Sequence, residues 1–236
     1  MLEQSSSRPS KWRILVPVAI LAVILLQGCA SPTPTLTPPP PSVVATKFDA
    51  SYGSAPAAGW KWGVAEITTG AEERIEETNN HGFAWIFYVI RGSTEIGTAD
   101  GKKVLAAGEA AIVPARQAHS HRFLPQSQVL VFRPADRPFG EFHRGAKLYE
   151  SNTALPLTPG QAYKVRIKQL TISPGSAGMT VDANFGYVME GTLTVRAGDA
   201  VSTQQVGKAF GLPSNVTQVV SNGGTTPVRF ILVDLH

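Results

Sequence analysis

The chain has 236 residues, 16% of them charged, and a formal charge of +4. Arg8, Lys11 and Arg13 against Glu3 place half of that charge near the start, and the rest is too scattered for the basic stripe that nucleic acid requires. Twenty-two glycines and 18 prolines favour short strands and turns, and a single cysteine excludes a disulfide framework.

The three basic residues precede an apolar run from Ile14 to Leu26, which leads into Leu26-Gln27-Gly28-Cys29. A basic start, a short apolar stretch and small residues at its end describe an export signal. The run is shorter than the ~20 apolar residues that a spanning helix needs. The four residues ending at Cys29 resemble the bacterial lipobox. That resemblance implies that residues 1–28 are a lipoprotein signal peptide, that Cys29 is lipidated, and that the exported chain is lipid-anchored to the outer face of a bacterial membrane. An uncleaved membrane anchor is the alternative. Residues 29–45 hold Cys29 and a proline-rich linker, Ser31 to Ser42. Such a sequence favours extended polyproline II, a spacer of roughly 40 Å.

From about Val43 the pattern turns globular. Trp60 to Ile67 alternates with period two, as a strand with one buried face does. Thr69-Gly70 reads as a turn, and Arg74 to Thr78 as an extended segment. Phe83 to Ile90 is a near-continuous apolar strand closed by Arg91-Gly92. Gly97 to Gly101 makes a hairpin turn, Pro114 interrupts the ladder, and Val129 to Arg133 is a further strand. A polar connection containing His143 follows, and Val165 to Ile172 alternates again. No stretch has a helical period, so an antiparallel all-β barrel or sandwich is expected.

The pattern occurs twice. Gly92 and Gly191, Gly108 and Gly207, and Pro114 and Pro213 are each 99 residues apart. Three turn residues in one register mark an internal duplication. Gln218 stands where the first copy has His119.

These spacings resemble the cupins. Gly108, Pro114 and His119 fit the second cupin motif, with Arg116 in place of its usual glycine and Phe123 in place of its late asparagine. Anchored on Gly92, the first motif places its histidines on Asn79 and His81 and its glutamate on Trp85. The resemblance implies an all-β bicupin: two tandem double-stranded β-helix (jelly-roll) barrels, a cupin domain over 46–145 and a degenerate one over 146–236. In that family the motif residues hold a divalent metal inside the barrel. Here His81 and His119 are retained, and His121, two residues along the same strand, shares the interior face. A set of His81, His119 and His121 suits zinc, iron, nickel or copper, with manganese a further candidate. The alternative is that all three are pocket-lining hydrogen-bonders. In the second repeat the metal positions fall on Gly178, Thr180, Asn184 and Gln218, so no metal is expected there.

Three functions follow. The first is a membrane-tethered binding module whose first barrel holds a small polar or cyclic molecule among Asn79, His81, Trp85, His119 and His121, with Trp60 and Trp62 as further aromatic surfaces; the second barrel is then structural. The second is a metal-dependent cupin enzyme, dioxygenase- or isomerase-like, using the three histidines. The third is a structural role in the envelope, with the barrels forming contacts or a homodimer. Nothing in the sequence names a substrate.

Overall fold

The computed structural model describes residues 42–52, 54–55, 59–71, 73, 75–80, 84–135, 145–214 and 216–236. The leader, Cys29, most of the linker, His81 and His143 therefore lie outside the described residues. Every regular element among the described residues is a strand, 18 in chain order, and the all-β expectation holds.

Four sheets carry the fold. One joins β3 (Ile75–Asn80), β8 (Ala118–Phe123), β5 (Ser93–Thr98) and β6 (Gly101–Ala106) in that order. The next joins β10 (Ala146–Glu150), β2 (Lys61–Thr68), β9 (Gln128–Ala135), β4 (Trp85–Arg91) and β7 (Ala110–Val113). The third joins β1 (Val43–Tyr52), β11 (Tyr163–Ile172), β18 (Val228–Leu235), β13 (Phe185–Glu190) and β16 (Ala209–Gly211). The last joins β12 (Met179–Val181), β17 (Gln218–Asn222), β14 (Thr192–Ala197) and β15 (Ala200–Gln205). Strand pairing crosses the boundary expected between residues 145 and 146. β1, from the first repeat, pairs with β11 of the second, and β10, from the second, pairs with β2 of the first. Each repeat lends its opening strand to the other.

Side-chain alternation then makes three cores. On β4, Trp85, Phe87 and Val89 point into the first barrel, against Leu105, Phe123, Val129 and Val131. Their neighbours Ile86 and Tyr88 point the other way, into a seam between the two five-stranded sheets. β18 behaves alike: Val228, Phe230 and Leu232 fill the second barrel, while Ile231, Val233 and Leu235 enter the seam. A strand buried on both faces reads as a continuous apolar run, which is how both strands appear in the sequence.

Two tyrosines stitch the seam with local two-fold character. Tyr88 on β4 donates to Gln169 on β11 at 3.2 Å, and Tyr187 on β13 donates to Glu66 on β2 at 3.1 Å. Tyr88 and Tyr187 are 99 residues apart, so the duplicated residue makes the same crossing in both directions. Burial raises both phenols above their usual range, Tyr88 to about 12 and Tyr187 further still, with Glu66 adding to burial at Tyr187.

The duplication also holds at the turns. Gly92 and Gly191 sit at φ 72° and 75°, a left-handed conformation that glycine alone adopts freely. A Cβ on either would lie 2.8 Å from the backbone opposite, at Ser127 or Pro227.

Candidate functional site

The first repeat places its retained histidines inside the barrel. On β8, His119, His121 and Phe123 are buried, while Ser120 and Arg122 between them are partly exposed. Inside, the imidazoles of His119 and His121 stack with centroids 4.8 Å apart and planes within 7°. The His121 ring meets Phe87 edge-on at 5.0 Å, Phe123 at 5.7 Å and Trp85 at 6.0 Å. His121 is thus closed in by aromatic rings, and His119 carries the stack outward from it.

One hydrogen bond sets the tautomer of His119. Its Nδ1 donates to the Gln117 carbonyl at 2.8 Å, since a carbonyl accepts and never donates. In the neutral ring the lone pair then belongs to Nε2, the arrangement by which a backbone carbonyl orients a ligating imidazole. The turn before it is unusual. Arg116, which stands where the motif has glycine, holds φ at 61°, a left-handed conformation that suits glycine.

Of the other expected site residues, Asn79 pairs with His119 across the β3–β8 ladder. Trp85 faces the interior from β4, and the Arg133 guanidinium lies over its ring, 5.7 Å from the centroid. Burial lowers the Arg133 guanidinium from its usual range, against the charge of Glu150. Phe87, Phe123, Arg133 and the Gln117 carbonyl are parts of this site that the motif comparison passes over. Strand parity with Trp85 and His121 is the signal that finds the two phenylalanines. Trp62 is a different matter: it faces the seam, not the barrel interior.

As a metal centre the described donors are incomplete. Among the described residues no group of three His, Cys, Asp or Glu side chains converges. Two imidazoles meet, with an indole in place of the anionic ligand. Zinc, iron, nickel or copper, which accept imidazole, would find two ligands in it; manganese, which favours oxygen donors, would find the same two imidazoles and no carboxylate among the described residues.

No protein-family model matches the chain, and no curated protein matches it either. Solved structures do. A four-residue mutant of Bacillus subtilis oxalate decarboxylase aligns with TM-score 0.55 and 14% identity over 75% of this chain and 69% of that one. Another structure of the same enzyme, from a study of its Mn(II) centres, aligns with TM-score 0.55 and 13% identity over 81% and 74%. The chain thus shares the fold of these enzymes.

Within this shared fold the second barrel is altered at the corresponding positions. Gln218 and Val220 stand where His119 and His121 stand in the first, and both are buried. The Gln218 amide donates to the Pro213 carbonyl at 2.5 Å. Asn222, the retained motif asparagine, donates to the Ile172 and Thr226 carbonyls. The ring of Phe87 is replaced too. Gly186 occupies its place, and the ring comes instead from Phe210 on the neighbouring strand, so close that a Cβ on Gly186 would meet it at 2.2 Å. In the first barrel the same cross-strand pair is Phe87 with Ala111. Ring volume is conserved while its source strand changes.

Proposed function

We propose that the chain is a membrane-tethered bicupin lipoprotein whose first barrel binds a small polar or cyclic molecule and whose second barrel is structural. The observation that carries the binding reading is the stacked His119–His121 pair in an aromatic-walled interior. Buried imidazoles are hydrogen-bonding groups that an all-apolar core would not retain, and the second barrel replaces them with Gln218, whose amide N–H turns to the Pro213 carbonyl, and Val220. Rings of Trp85 and Phe87 offer flat surfaces for a cyclic ligand. The tether is supported by Leu26-Gln27-Gly28-Cys29, and it places the chain at the outer face of a bacterial membrane.

The second reading is a metal-dependent cupin enzyme of dioxygenase or isomerase type, with His81 joining His119 and His121. The Gln117 hydrogen bond, by which a backbone carbonyl orients the His119 imidazole, favours it, as does the likeness to an enzyme with Mn(II) centres. A bound zinc, iron, nickel or copper ion would supply Lewis-acid or oxygen-activating chemistry.

One comparison separates the two. The full-length chain, extracted in detergent without a histidine tag, is set beside a His119→Ala, His121→Ala variant. Metal near one equivalent in the wild type, lost in the variant, establishes the second reading. Stabilisation of the metal-free wild type by a polar or ring compound, absent in the variant, establishes the first. If neither occurs, both fail. A Cys29→Ser chain tests the tether: the wild type is expected to take up an acyl label and the variant none.

A further inference from the structure

A second cavity lies away from the histidines, at one end of the seam between the five-stranded sheets. It has a volume of about 350 Å³ and is walled by Trp62 and Tyr149 with Ser151, Asn152, Asn184 and Pro213. Both repeats build it: Trp62 comes from β2, Tyr149 from the lent strand β10, and Asn184 and Pro213 from the second half of the chain. Three observations make it more than a packing gap. First, the Trp62 indole N–H is buried and has no hydrogen-bond partner. A native interior rarely leaves such a donor unsatisfied. Second, space for Tyr149 is built in. Its hydroxyl leans over Gly211, where a Cβ would lie 2.0 Å from that oxygen. Third, the wall combines two aromatic rings with hydroxyls and carboxamides and, among the described residues, includes no charged side chain.

We infer that this seam cleft is a binding site for a neutral sugar of one or two rings. Aromatic rings take the C–H face of a pyranose, and carboxamides and hydroxyls pair with its hydroxyl groups. A sugar oxygen would accept from the Trp62 N–H. The absence of a charged group from the wall argues against a nucleotide, a carboxylate or an amine, each of which needs a counter-charge when desolvated. The volume falls within the ~300–1,000 Å³ typical of small-molecule sites. Loop 151–158, which forms the outer wall, is largely exposed, so the mouth opens to solvent.

The test titrates the full-length chain with glucose, galactose, maltose and cellobiose, by calorimetry and by tryptophan fluorescence. Saturable binding of at least one sugar is expected, weakened at least tenfold by Trp62→Phe. Ala154→Trp, in the exposed loop, fills the mouth without touching a core and is expected to abolish binding. A His119→Ala, His121→Ala chain is expected to bind the sugar as the wild type does, which keeps this site distinct from the barrel interior. No saturable binding by any of the four sugars overturns the inference. So does binding that Trp62→Phe and Ala154→Trp leave unchanged, or that the histidine variant removes.

Discussion

At the scale of single residues, the two repeats show which positions the fold fixes and which it leaves free. Arg116 is a side chain in a backbone shape that suits glycine, and the left-handed conformation costs roughly 1–2 kcal/mol in a residue with a Cβ. Arg116→Gly is therefore expected to raise stability by up to about 1 kcal/mol, part of the gain being lost to the freer unfolded chain. Urea denaturation measures it, and a lowered midpoint would count against stored strain. Gly186→Ala has the opposite expectation. The new methyl meets the Phe210 ring, and overpacking of this kind costs about 1–3 kcal/mol. Gly186→Phe combined with Phe210→Ala should recover much of that loss, because it returns the ring to the strand that carries it in the first barrel. The motif comparison could locate Arg116, Trp85 and the histidines, since each is a departure or a match at a numbered spacing. It could not locate the Phe87-to-Phe210 exchange, because a ring arriving from the neighbouring strand leaves no mark at its own alignment position.

At the scale of elements, the exchange of β1 and β10 ties the repeats together. Val43 to Tyr52 is ladder-paired to β11 along its length, and Arg166 on β11 bridges Asp49 on β1 at 3.0 Å. Removing residues 1–52 should therefore damage the second barrel, which lies far along the chain, more than the first. Hydrogen exchange checks this: protection is expected to fall first in β11 and β18, and a loss confined to β2 and β9 would contradict it. The strands themselves were legible, because alternation and glycine turns report local geometry. Their partners were not. Period two says which side chains share a face and nothing about which sheet that face belongs to, so a cut between residues 145 and 146 follows the repeats and misses the pairing.

At the scale of the whole molecule, the seam makes two duplicated halves one cooperative body. Tyr88 and Tyr187 cross it in opposite senses, and both are held neutral. A phenol whose folded pKa is raised stabilises the fold fully below its unfolded value of 10.0 and loses that contribution as pH climbs toward about 12 for Tyr88. Stability is thus expected to hold through neutral pH and fall across that alkaline window, followed by tyrosinate absorbance alongside circular dichroism. Tyr187→Phe should narrow the fall and lower stability at neutral pH by about 1–2 kcal/mol, since Glu66 loses its donor. A chain whose two halves melted in separate calorimetric transitions would contradict the single-body view. The order of strands also decides how the molecule meets mechanical load. A pull on the amino-terminal end enters through β1, and β1 is fastened to the second half of the chain. Force arriving from that direction loads the β1–β11 ladder and β18 behind it, while the sheets around His119 and His121 stand off the line of tension. Force entering at β1 is thus borne first by the half of the chain that has lost the histidine pair.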